Sequence, residues 1–68
     1  MKISARNVLK GKVVEVSEGA VTGHVKLDIG GSIVTASITN AAIKELGLKK
    51  GAVAYAVIKA SDVMIGID

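Results

Sequence analysis

An all-β fold of about five strands with one short helix is what this sequence predicts, and three observations carry that expectation. Apolar and polar side chains alternate with period two over several stretches, as in strands that bury one face. Glycines and small polar residues separate those stretches at short intervals, where turns are needed. One segment alone, Thr39 to Gly47, gives up the alternation for helical spacing.

The first predicted strand runs from Lys12 to Val16, rich in β-branched residues, and Ser17-Glu18-Gly19 supplies the turn after it. The second spans Val21 to Ile29. Val21, Gly23, Val25, Leu27 and Ile29 face one way, and Thr22, His24, Lys26 and Asp28 the other. Gly30-Gly31 marks a tight hairpin, because consecutive glycines accept positive φ without a steric cost. The third strand, Ile33 to Ile38, sets Val34, Ala36 and Ile38 against Thr35, Ser37 and Thr39.

In the segment that follows, Thr39 or Asn40 caps a helix of about two turns. Ile43 and Leu46 share its face, and Gly47 ends it. So short a helix must be held by packing. Ala52 to Ala60 forms the fourth strand, with Val53, Tyr55 and Val57 alternating against Ala54, Ala56 and Ile58. The small face at Ala52, Ala54, Ala56 and Ala60 has two readings, a thin interior beneath the helix or a close subunit contact. Val63, Ile65 and Ile67 make a fifth short strand after the break at Ser61-Asp62. The order of three strands, helix and two strands fits an OB-like, five-stranded, partly closed barrel best, since closure protects strand edges. An SH3-like barrel is the competing architecture.

The 68-residue chain fits one domain, residues 1–68, and at this length much apolar surface stays uncovered unless disulfides, a metal or a partner subunit supplement the core. There is no cysteine, which excludes disulfides and cysteine-based zinc sites, and His24 stands alone. Half of the residues are hydrophobic, yet Phe and Trp are absent and Tyr55 is the single aromatic. A homo-oligomer is therefore expected. The formal net charge of +3 favours anionic partners without naming one. Met1-Lys2-Ile3-Ser4 is followed by no long apolar run, and no stretch nears the roughly 20 apolar residues that span a bilayer. A cytoplasmic protein without membrane association is the expectation.

The residues offer no constellation for covalent or acid–base catalysis, so an enzyme is not expected. His24 lies on the polar face of a strand, and Asp28, Asp62 and Asp68 show no paired spacing. Gly30-Gly31 lacks the following residues of a phosphate-binding loop or a dinucleotide fingerprint. A single-stranded nucleic-acid-binding OB module is the alternative function, but such modules stack bases on several aromatic rings. A purely structural oligomerisation unit is a third reading. The remaining chemistry is capture of a small anion by amides, hydroxyls and cationic tips, which needs a dense set of directed donors to replace its hydration. Ser4-Ala5-Arg6-Asn7 offers a hydroxyl, a guanidinium and an amide; Thr39 adds a hydroxyl; Lys59-Ala60-Ser61 adds an ammonium and another hydroxyl. Each has a plainer reading as well: a solvated terminus, a helix cap, a lysine lying along a strand.

In chain order these segments form a pattern. Ser4-Ala5-Arg6-Asn7 is followed by Leu9-Lys10-Gly11, then Ala36-Ser37-Ile38-Thr39 and a helix ending in Glu45-Leu46-Gly47-Leu48. Val57-Ile58-Lys59-Ala60-Ser61-Asp62-Val63 completes it. The pattern covers essentially the whole chain and resembles the molbindins, small cytoplasmic molybdate-binding proteins similar to modules of molybdate-responsive regulators and transport ATPases. The resemblance implies OB-like subunits assembled as a hexamer, a trimer of dimers, with molybdate or tungstate bound between subunits and no catalytic cofactor. By matching positions it implies that Ser4 and Arg6 donate from one subunit and Thr39, Lys59 and Ala60 or Ser61 from another. Ser4, Thr39 and Ser61 would use their hydroxyls, and Ala5 and Ala60 their backbone N–H groups. Arg6 and Lys59 would balance charge, with Arg6 alternatively bracing the interface. A second class of oxyanion site near the threefold axes is also implied, without residues assigned to it. Asn7 either contacts ligand or organises the turn.

Overall fold

A computed structural model describing residues 1–68 contains four strands rather than five. They are β1 (Asn7–Glu18), β2 (Thr22–Asp28), β3 (Ile33–Thr39) and β4 (Val53–Ile58), with helix α1 (Asn40–Glu45) between β3 and β4. All pairings are antiparallel, and the sheet order is β3-β2-β1-β4. The result is an OB-like half-barrel whose edges are β3 and β4.

β1 is longer than the β-branched stretch Lys12–Val16 suggests because it serves two partners. Asn7 to Lys12 pair with β4, and Lys12 to Glu18 pair with β2. Between the pairs Val13↔Leu27 and Glu15↔Lys26, Val14 is an extra residue without a counterpart. Such a bulge bends its strand and sharpens the local twist. It lies just past the handover from β4 to β2, where a half-barrel has to curve.

The inward row contains Val13, Val25, Leu27, Ile43 and Ala56, which form the buried core, with Leu9, Val16, Val34 and Ile38 packed around it. Ile43 anchors α1 to the sheet through Gly23: a Cβ on Gly23 would stand 2.8 Å from Ile43 Cδ1. The helix begins where Thr39 Oγ1 accepts the Ala42 N–H at 3.1 Å, so Thr39, not Asn40, is the cap. It ends at Leu46, and Gly47 follows with φ +63°. At the β2–β3 turn, Gly30 and Gly31 have φ of +100° and +102°, and both donate their N–H to Asp28 Oδ1 at 2.9 Å.

Ala54 and Ala56 face the interior while Val53, Tyr55 and Val57 stand outside. Ala52, Ala54 and Ala56 pack into or against the core, and Ala54 and Ala56 also line an open groove. Ala60 lies beyond the strand and is exposed.

The predicted fifth strand at Val63–Ile67 does not form: the segment pairs with neither edge strand of the sheet. The segment carries no strand pairing, and Met64, Ile65 and Ile67 are 92%, 88% and 96% exposed. Only 6 of 68 residues are fully buried, so the interior of one chain is unfinished. An apolar groove of about 630 Å³ lies along the concave face, bounded by Val34, Ala36 and Ile38 of β3 and by Ala54, Ala56 and Ile58 of β4. No helix is long and apolar enough to cross a membrane.

Candidate functional site

Two of the three candidate segments meet at one end of the sheet. Asn7, the first residue of β1, is the register partner of Ile58, the last residue of β4. Its side-chain amide donates to the Ile58 carbonyl at 3.1 Å, locking two positions 51 residues apart. Asn7 therefore acts as a brace. Ser4-Ala5-Arg6 enters this locked pair and Lys59-Ala60-Ser61 leaves it, so both stretches flank the same junction.

Lys59 continues into a single 3₁₀ turn, Ala60–Asp62, in which Asp62 N–H donates to the Lys59 carbonyl at 2.9 Å. The Val63 N–H closes on the Ala60 carbonyl at 3.3 Å. No hydrogen bond within the chain uses the backbone N–H of Ser4, Ala5, Arg6, Lys59, Ala60 or Ser61. All of these residues are exposed except Ala5, which is half-buried. The junction thus displays six free amide donors, two hydroxyls, a guanidinium and an ammonium. Asp62 is the one carboxylate in that stretch of chain, outnumbered by Arg6 and Lys59. A donor-rich, net positive surface of this kind suits a fully deprotonated oxyanion, whose oxygens only accept.

Thr39 sits elsewhere, at the end of β3, paired across the sheet with Thr22. No hydrogen bond joins it to either of the other segments. Its hydroxyl oxygen already accepts the Ala42 N–H at 3.1 Å, which leaves the hydroxyl proton free to point outward as a donor. Ile38 and Ile58, each one residue before a candidate donor, line the same groove between the edge strands. Two residues that sequence patterning left without a firm role now have one. Asn7 ties the ends of β1 and β4. Asn40 follows the cap, and its side-chain amide donates to the Gly19 carbonyl at 2.9 Å. An asparagine beside a strand end or a helix start is the available sequence signal, but it does not reveal which distant carbonyl is reached.

The groove gives a polar ligand little to hold. Of its 15 lining residues 14 are hydrophobic. No cluster of three or more His, Cys, Asp or Glu residues is present to chelate a metal cation.

Comparison with known proteins gives this geometry its context. The TOBE domain model matches residues 3–65. Molybdenum-pterin-binding protein 3 of Clostridium pasteurianum is 56% identical over 66 residues, covering 96% of this chain and 97% of that protein. The solved structure of MopII from the same organism, in an apo form, superposes with a TM-score of 0.90 at 51% identity, covering 97% of this chain and all of that one. ModG, described as a cytoplasmic molybdate-binding protein and solved with molybdate bound, superposes with a TM-score of 0.94 at 46% identity. It covers the whole of this chain and 49% of its own. With a fold match along the full chain, identities near one half and a family model spanning all but its ends, this protein belongs to the TOBE family and, within it, to the molbindins.

Proposed function

We propose that the protein binds molybdate, and tungstate of the same shape and charge, and serves to store or buffer the oxyanion in the cytoplasm. It breaks and makes no covalent bond of its ligand. The observation that carries this reading is that Ser4–Arg6 and Lys59–Ser61, the stretches flanking the hydrogen-bonded Asn7–Ile58 pair, make no hydrogen bond within the chain through their backbone N–H groups and so present them, with their hydroxyls and cations, to a ligand. Sulfate is smaller than molybdate, and phosphate near neutral pH carries a proton that a donor-only site meets badly. A pterin ring has hydrogen-bonding edges that the apolar groove does not match.

The shell is completed between subunits. The proposed donors are Ser4, Ala5 and Arg6 from one copy, with Thr39, Lys59, Ala60 and Ser61 from another, in a hexamer built as a trimer of dimers. Support comes from the unfinished core, the open groove and the bare side chains of Met64, Ile65 and Ile67. An apolar tail and an apolar groove on the same chain can cover one another when copies associate. An ion held between copies stabilises the assembly by mass action.

Equilibrium dialysis of the assembled protein against molybdate, sulfate and a short single-stranded oligonucleotide tests the reading. Saturable molybdate uptake is expected, and oligonucleotide binding without molybdate uptake would reverse it. In the same assay, Lys59→Ala should weaken molybdate by about tenfold to a hundredfold, the range for a hydrogen bond to a charged group.

A further inference from the structure

We infer that Asn40 is a positioning residue for oxyanion binding, holding Thr39 in place by fastening the start of α1 to the turn between β1 and β2. The inference rests on Thr39 being a ligand donor, as proposed above.

Thr39 stands at a junction where β3 stops and the chain turns into a six-residue helix. A helix so short has no rigidity of its own, and on the helix side of Thr39 the one fully buried anchor is Ile43. Between them, Asn40 makes two hydrogen bonds to the same distant turn. Its backbone N–H donates to the Val21 carbonyl at 2.8 Å, and its side-chain Nδ2 donates to the Gly19 carbonyl at 2.9 Å. The turn is itself closed by the Gly19 N–H on the Thr22 carbonyl at 2.9 Å. Apolar packing does not hold it, since Val21 is 72% exposed.

The orientation of the amide is fixed by its partner. Reversing it would aim Oδ1 at the Gly19 carbonyl, oxygen against oxygen. In the orientation adopted, Oδ1 is buried and has no partner. The Nδ2 donor reaches across 21 residues to tether the backbone beside Thr39. With Asn40 bonded, the Thr39 backbone is held at both of its neighbours' ends, and its hydroxyl is left with one free direction, outward.

A double-mutant cycle tests the inference by calorimetric titration of the assembled protein with molybdate. Asn40→Ala should raise the Kd about tenfold, the scale of one lost hydrogen bond. In a Thr39→Val background the same change should raise it less than twofold, because the residue it acts through is already gone. If Thr39→Val by itself binds as the unaltered protein does, Thr39 leaves the ligand shell and the proposed donor set fails at that residue. If Thr39→Val weakens binding and Asn40→Ala does not, the positioning role is overturned while the donor set stands. An equal penalty for Asn40→Ala in both backgrounds also overturns it, since the residue then acts on the subunit as a whole. Should the alanine variant not fold, Asn40→Gln keeps an amide displaced by one methylene, and the cycle run with it is decided by the same outcomes.

Discussion

The β1–β2 hairpin and the two chain ends are built on opposite terms. Around the hairpin, Val13, Val25 and Leu27 are buried, the ladder runs from Lys12↔Asp28 to Glu18↔Gly23, and Ile43 closes over Gly23. At the ends, two runs of three candidate donors, Ser4–Arg6 and Lys59–Ser61, leave their amides free, and Met64, Ile65 and Ile67 lie almost fully in solvent. The contrast separates what one chain can satisfy from what it leaves for others. Unmet donors invite an acceptor and unmet apolar side chains invite a second surface; the apolar need recurs at Val21, Leu46 and Val53, but at the chain ends the two needs fall together. Ligand binding and assembly are therefore expected to depend on one another.

The largest expected effect breaks the ends and spares the hairpin. A double change, Ile65→Asp with Ile67→Asp, places two charges where the tail needs apolar cover. Sedimentation should show the assembly falling to smaller species, and molybdate uptake should fall with it. Retention of the full assembly at micromolar concentration would remove the tail from the contact. Circular dichroism of the dissociated variant should keep its β signal, because the tail contributes nothing to the ladder.

That division also explains what could be read from the sequence. The alternation reports the β2 face correctly at Gly23, Val25 and Leu27, since burial on one side of one sheet imprints period two on the chain, but not at Val21, which precedes the strand and is exposed. The same logic misreads Val63–Ile67, whose spacing records a need for cover but not which chain supplies it. Residues Asn7–Gly11 escape because Val8, an outward residue, is as apolar as inward Leu9, which erases the pattern. The site was legible as three segments with donor chemistry. Their arrangement was not, because the Asn7–Ile58 hydrogen bond that gathers two of them spans 51 residues, and no local spacing encodes it.

A smaller effect should come from the middle, and it should leave the ends alone. Gly23→Ala puts a methyl group against Ile43 Cδ1 at 2.8 Å and against the Ser17 backbone carbonyl, which cannot yield. Overpacking of this sort costs about 1–3 kcal/mol. Urea titration should show the lower midpoint. Because Ile43 anchors the helix that follows Thr39, calorimetry should show a modest loss of molybdate affinity that disappears in a Thr39→Val background. An equal loss in both backgrounds would mean that the hairpin and the β1–β4 junction are mechanically joined.

The smallest effect concerns pH. The N–H groups of Gly31 and then Gly30 hold the Asp28 carboxyl below the usual aspartate range by bonding to the charged form. A group whose pKa is lower folded than unfolded contributes stability that is present above the unfolded value. That contribution fades as pH falls through the folded one. The β2–β3 turn should therefore keep its carboxylate clasp at neutral pH and lose it in acid. The turn lies at the surface, where solvent screening keeps the effect slight. The check is the difference in urea midpoint between the unaltered protein and Asp28→Asn, followed from pH 7 down to about pH 2, below the ordinary aspartate range. The difference should favour the aspartate near neutrality and shrink on acidification. A difference that stays constant across the range would show that the carboxylate's charge plays no part in the turn, leaving the glycines' positive φ as what shapes it.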